Sequence, residues 1–187
     1  MEAFIKAPKK IPFYIGIGIW IAKKVTGKDL LVPRILSWYP KCAISSGVME
    51  TMVAHGGKDL DKRILKLVRM QASLSVSCPF CIDMNSYEYK KLGISKEIVH
   101  MLQHPSDSEK VKDLSKRERL AIEYAKQICQ TPIKVSSELV NELKIHFTER
   151  EIVILASTVA QVNYWARLIQ GLGIPPAGFS NECTLNK

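Results

Sequence analysis

Acidic residues are in short supply: 18 Asp and Glu stand against 27 Lys and Arg in 187 residues, a formal charge of +9. Basic residues run along the whole chain and are densest at Lys6, Lys9, Lys10, Lys23, Lys24 and Lys28. They read as a solvated basic face with weak attraction for acidic partners or anionic lipid. No RNA-binding, zinc-finger or basic-zipper signature accompanies the charge, so nucleic acid is set aside as a partner. A spanning segment of ~20 apolar residues is missing as well. Ile11 to Ala22 is apolar over only 12 residues, and Lys23-Lys24 follows where a signal peptide would place small residues for cleavage. No transmembrane segment is expected, and this stretch reads as a helix packed on the domain or on a neighbouring subunit. Cysteine is sparse too. Cys42, Cys78, Cys81, Cys129 and Cys183 are odd in number and mostly scattered, unlike a secreted disulfide scaffold, so a reducing, cytoplasmic location is expected.

What is present is a globular composition, 47% hydrophobic and 24% charged, with enough chain for one ordinary domain. Alternating strand patterns are absent and the punctuation is helical. Gly27 closes a segment from Phe13 to Val25; Pro33 opens another that Pro40 interrupts and Gly56-Gly57 ends. Asp61 is placed to cap a helix with Ile64, Leu65, Val68 and Ala72 on one stripe. Gly93 stops the helix that contains Cys78 and Cys81, and Ser95 starts a short one through Leu102. His104 to Lys112 reads as a surface loop. Ser115-x-x-Glu118 and Thr148-x-x-Glu151 both fit a capping box, and Ser136 or Ser137 caps a helix ending near Phe147. Ile152, Leu155, Val159, Val162, Ala166 and Ile169 give a long final helix one buried stripe. Gly171 and Gly173 end it, and Pro175-Pro176 prevent its resumption. The fold class is all-α. A faint echo, Asp61-Lys62-Arg63 to Leu92-Gly93-Ile94 against Thr148-Glu149-Arg150 to Leu172-Gly173-Ile174, leaves room for a duplicated helical unit.

Cys78-Pro79-Phe80-Cys81 is the local constellation with reactive potential. Proline suits the first position of a helix and disfavours the α conformation before it. Cys78 therefore reads as an N-cap, with Cys81 in the first turn. Free backbone N–H groups and the helix dipole favour thiolate at both sulfurs, and two sulfurs three residues apart can approach disulfide geometry. At ~100° per residue Cys78, Cys81, Asn85 and Glu88 share one helix face, while Asp83 points away from it as a solvated or structural residue. Glu88 can exchange protons if buried, and is otherwise a surface residue. Two alternatives stand beside a redox pair. The cysteines can be small buried hydrophobes, or half of a zinc site. His55, His100, His104, His146, Cys129 and Cys183 show no second ligand pair at zinc spacing, so no metal is expected.

Lys66 to Met101, KLVRMQASLSVSCPFCIDMNSYEYKKLGISKEIVHM, resembles the core of the alkylhydroperoxidase D and carboxymuconolactone decarboxylase family. Phe147 to Pro175, with Asn163 and Arg167 in an Asn-x-x-x-Arg pattern, is similar to that family's C-terminal helix. With Leu114 to Ala125 the likeness covers most of the chain from about residue 50. The resemblance implies an all-α fold that assembles as a trimer or hexamer, and no cofactor is expected. It also implies a peroxidase cycle in which Cys81 attacks a hydroperoxide and Cys78, the partner-facing thiol, resolves the sulfenic acid as a disulfide. A dithiol protein or lipoyl-type molecule would be the reductant. Lactone decarboxylation is disfavoured, because that branch generally lacks the paired cysteines. The family's proton relay is a glutamate 12 residues before the first cysteine and a histidine four after the second. Here those places hold Lys66 and Asn85. A lysine of ordinary pKa is no base, and an amide shuttles no proton.

The expected organisation is an N-terminal helical extension over residues 1–49, a core over 50–178 and a tail over 179–187. The expected function is a thiol-dependent oxidoreductase, a peroxidase or disulfide exchanger, with Cys81, Cys78, Asn85, Lys66 and Glu88 at its site. The rival expectations are an oligomeric redox-sensing protein and a module that binds a small molecule between the cysteine helix and the Asn163–Arg167 helix.

Overall fold

The structure, a computed structural model, describes residues 2–53, 55–104 and 113–180. Nine α-helices and one 3₁₀ turn make up the regular structure of these residues, with no strand among them. They are α1 (Phe13–Thr26), α2 (Leu31–Leu36), α3 (Pro40–Val53), α4 (Lys62–Ser75), α5 (Pro79–Ser86), α6 (Lys96–Gln103), α7 (Lys116–Ile128), α8 (Ser137–His146) and α9 (Glu149–Gly171). The 3₁₀ turn is Tyr89–Leu92. Apart from His104, the expected loop at 104–112 lies outside the described residues, as does Cys183 with residues 181–187 of the tail.

The caps fall where side-chain chemistry places them. Asp61 Oδ1 accepts the Arg63 and Ile64 N–H groups at 2.8 and 3.1 Å. Ser115 with Glu118 and Thr148 with Glu151 form complete capping boxes ahead of α7 and α9. Ser136 rather than Ser137 caps α8, accepting the Leu139 N–H at 3.2 Å. Gly27 closes α1 in the left-handed region at φ 69°, a conformation that suits a residue without Cβ. Two expected boundaries shift. Pro33 sits inside the first turn of α2 rather than opening it, and Pro40 begins α3.

The larger correction concerns the cysteine helix. It does not run on to Gly93: α5 stops at Ser86, whose hydroxyl donates back to the Ile82 carbonyl at 2.6 Å. Tyr87 is then extended, with ψ 129°, and Glu88 adopts φ 57°. The chain is thus turned out of the helix before the 3₁₀ turn begins. The echo between the two halves survives in its punctuation, Asp61 with Gly93 and Thr148 with Gly173, both glycines at positive φ. It fails in its body, where α9 is unbroken over 23 residues.

α4 is the organising element, packed by α5, α6, α7 and α9. Its Leu65, Val68 and Ala72 bury against Ala121 and Ala125 of α7, Leu143 of α8, and Leu155 and Val159 of α9. Each large side chain so buried contributes roughly 1.5–3 kcal/mol. Leu67 and Met70 face a second cluster with Ile82, Ile98, Leu102 and Ile122. α9 is long and apolar enough to cross a membrane by length and composition, but its apolar stripe is the core of this fold.

Candidate functional site

A third apolar cluster encloses the cysteines. Val32, Ile35 and Leu36 of α2, Ala166 and Ile169 of α9, and Ile174 surround Cys78, Phe80 and Cys81. The two sulfurs are bonded to each other, with Cα atoms 5.3 Å apart, inside the range a disulfide permits. Cys78 is the N-cap of α5 and its sulfur accepts the Cys81 N–H at 3.2 Å, with Pro79 at the first helical position. Its extended backbone, φ −94° and ψ 105°, is the conformation the following proline favours. The approach to it is tight: Ser77 stands at φ 48°, and the Cys78 N–H reaches back to the Ser73 carbonyl at 3.2 Å. Cys78 has 0% and Cys81 4% of its surface exposed. The expected partner-facing Cys78 is thus fully enclosed within this chain. Cys42 and Cys129 are free.

Polar groups reach the site from the other face of α4. Lys66, Arg69 and Ser73 lie one turn apart in succession along it. Lys66 Nζ donates to the Tyr87 carbonyl at 2.6 Å, beyond the end of α5. Burial, with the nearby Arg69 charge, lowers its pKa to about 8, and Glu88 opposes the shift. Arg69 donates to the His55 carbonyl at 3.0 Å; burial lowers its pKa too, against the pull of Glu50. The Ser73 hydroxyl donates to the Arg69 carbonyl at 2.7 Å and accepts from Asn85 Nδ2 at 2.9 Å. Lys66 and Asn85 are therefore held on the same side of α5, each by a partner other than sulfur.

Glu88 does not join them. The break after Ser86 removes it from the helix face on which continuous helix would have put it. It is exposed and accepts from Lys91 at 2.7 Å, a bond that holds its carboxyl below the usual range. Asp83 is structural rather than solvated. It is buried, with one carboxylate oxygen accepting the Ala177 and Gly178 N–H groups at 2.9 and 2.8 Å, and the other the Ser180 N–H at 2.7 Å. That carboxylate straps the segment after α9 across the cysteine helix, with Ile174 pressed on the sulfur cluster. Sequence reasoning missed Ser73, and it read Asp83 as solvated or structural without the strap that it fastens. A serine four residues before a turn into Cys-x-x-Cys, and an acid two residues past the second cysteine, were the signals available.

Asn163 and Arg167 bond to groups outside the cysteine helix. Asn163 Nδ2 donates to Cys129 Sγ at 3.1 Å and to the Val159 carbonyl at 3.0 Å. Arg167 Nη2 donates to Thr131 Oγ1 at 3.4 Å. The α9 residues that meet the sulfur cluster are Trp165, Ala166, Leu168 and Ile169. Burial raises the Cys129 thiol pKa, and Asn163 and Arg167 oppose that more weakly.

No family model matches the sequence. Two curated relatives are uncharacterized: YdfG of Bacillus subtilis strain 168, 26% identical over 61% of this chain and 76% of its own length, and YnjA of Escherichia coli K12, 25% identical over 90% and 91%. Among solved structures, the alkylhydroperoxidase AhpD core of a peroxidase-related protein from Ralstonia eutropha JMP134 superposes with a TM-score of 0.76. It covers 94% of this chain and 93% of that one at 15% identity. The debrominase Bmp8, in complex with 2,3,4-tribromopyrrole, reaches 0.76 over 97% and 94% at 13% identity. At such identities the likeness is one of fold. By fold, this all-helical chain is similar to the AhpD-like proteins.

Proposed function

We propose that the chain is a thiol-dependent oxidoreductase whose working group is the Cys78–Cys81 pair. The observation that carries this reading is the pair itself, two sulfurs in bonding contact on the first turn of a helix, which the N-terminal dipole and free N–H groups favour as thiolates when reduced. In the reduced protein the Cys81 thiolate attacks the distal oxygen of a hydroperoxide, and the alkoxide leaves and takes a proton. Cys81 becomes a sulfenic acid. The Cys78 thiol displaces its hydroxyl as water and closes the disulfide, and an external dithiol or lipoyl-type molecule then reduces the bond. Disulfide exchange uses the same sulfurs without the oxygen chemistry.

Enclosure of both sulfurs favours a second reading, an oligomeric protein whose pair records oxidation without turnover. A trimer or hexamer is part of the proposal in either case. Ile44, Val48 and Met52 form an exposed stripe at helical spacing along α3. Light scattering at micromolar concentration should report an assembly; a monomer would remove that part.

The deciding experiment is thiol titration and mass spectrometry after stoichiometric hydrogen peroxide, on the wild type and Cys81→Ser. Turnover with a dithiol, lost in the variant, supports the enzyme. Oxidation without turnover supports the sensor. A first reaction at Cys42 overturns both. Bromide release from 2,3,4-tribromopyrrole with a dithiol would redirect the reading to reductive dehalogenation.

A further inference from the structure

Ile15 and Ile19 turn the inner side of α1 into the protein. Its outer side is as apolar as its inner one. Phe13, Ile17, Trp20, Ile21 and Val25 span an arc of about 140° on the outer face, and all five are exposed, Phe13 by 81% and Val25 by 80%. A contiguous apolar face of this kind is rarely left to water on a soluble monomer.

Charge selects what covers it. From Ala3 to Lys28 the sequence has six lysines and no acidic residue. Lys9 and Lys10, just before the helix, and Lys23 and Lys24, in its last turn, are exposed. The Lys24 ammonium stands 4.7 Å from the centre of the Trp20 ring, so a positive charge lies within the apolar face itself. A second copy laid antiparallel on this face would set Lys9 and Lys10 against Lys23 and Lys24, like against like. A bilayer carrying anionic lipid offers the complement: acyl chains for Phe13, Ile17, Ile21 and Val25, headgroup charge for the lysines, and the interfacial zone that an indole prefers. At 14 residues α1 is ~21 Å long, too short to cross a hydrocarbon core of ~30 Å and suited to lie in its surface.

We infer that the outer face of α1 docks the protein on anionic lipid bilayers. This goes beyond the redox proposal and does not depend on it. The test is co-sedimentation of the full-length chain with phosphatidylcholine vesicles, with and without phosphatidylglycerol, at low and high salt. Binding should require phosphatidylglycerol, weaken as salt rises, and be lost in Ile17→Glu/Ile21→Glu. Each lysine near a charged surface contributes about five-fold to partitioning, so Lys23→Glu/Lys24→Glu should weaken binding at least ten-fold while Cys78–Cys81 oxidation is unchanged. That second variant alters only exposed residues and serves if the first fails to fold. Equal binding to neutral vesicles, or none to either kind, overturns the inference. So does an assembly, seen by light scattering, that dissociates in Ile17→Glu/Ile21→Glu, because the face would then belong to a second copy.

Discussion

Asn85 Nδ2 donates to the Ser73 hydroxyl at 2.9 Å, tying the cysteine helix to α4 one turn beyond the second sulfur. Ser73 is fully buried, and its carbonyl also takes the Cys78 N–H. Ser73→Ala leaves the half-buried Asn85 amide without that acceptor, a loss of about 0.5–1.5 kcal/mol, the net worth of an ordinary hydrogen bond. Urea unfolding should show a lower midpoint at unchanged slope. Because the two groups share one bond, adding Asn85→Ala should cost little more than the larger single change. Additive losses would mean that the bond does not couple the helices.

Asp83 fastens the strap that covers the sulfurs. In Asp83→Asn one carboxylate oxygen becomes an NH₂ donor facing backbone N–H groups, so at least one of the three bonds is lost. The strap from Ile174 to Ser180 should then open more often, and reduction of the Cys78–Cys81 bond by a bulky phosphine should speed up at least several-fold. Stopped-flow thiol release under native conditions measures it. An unchanged rate would show that access runs through another edge, such as α2.

The helical frame was legible because it is written in local chemistry. Caps at Asp61, Ser95, Ser115, Ser136 and Thr148 need only a side-chain oxygen and an N–H two or three residues away. Cys78 as N-cap followed from Pro79 in the same way. Glu88 was misplaced because helix periodicity says nothing of where a helix stops, and the stop depends on Tyr87 and Glu88 leaving helical geometry. Asp83 could not be assigned its role from its own helix, since its partners lie at residues 177–180, nearly a hundred positions on. The enclosure of Cys78 likewise comes from α2, α9 and Ile174, long-range contacts that the motif does not encode.

Lys66 should leave a signature in the pH dependence of stability. Its folded pKa of about 8 lies below the ordinary lysine value of 10.5. Below pH 8 both states carry the charge, and the cost of holding it partly out of water is present in full. Between about 8 and 10.5 the folded protein sheds its proton first, the unfolded chain binds more protons, and this group's contribution to stability rises with pH. Lys66→Met should stabilise the protein at pH 7 by on the order of 1–2 kcal/mol, after discounting for solvent screening. Its advantage should shrink above pH 8 and be mostly gone by pH 10. Taking the difference between wild type and variant cancels other groups that titrate there; a flat difference from pH 7 to 10 would contradict the lowered pKa.

The same lysine bears on the chemistry. Attack by Cys81 on a peroxide needs a proton for the leaving oxygen, and a positioned acid or base typically supplies ~10²–10⁴-fold. At pH 7 roughly one Lys66 in ten would be neutral at a pKa of about 8, more than its sequence suggests. Yet its ammonium is committed to the Tyr87 carbonyl, and Asn85 to Ser73. Neither bonds a sulfur, and Glu88 is turned out to Lys91. Peroxide turnover should therefore be slow, while thiol–disulfide exchange, which needs less proton transfer, should be better preserved. Lys66→Glu with Asn85→His restores an acid and an imidazole at the two positions. With an alkyl hydroperoxide and a dithiol, the double variant should gain at least ten-fold in kcat/KM if its circular dichroism matches wild type. A wild type that is already fast, and a double variant that is slower, would show that the proton travels by a different route.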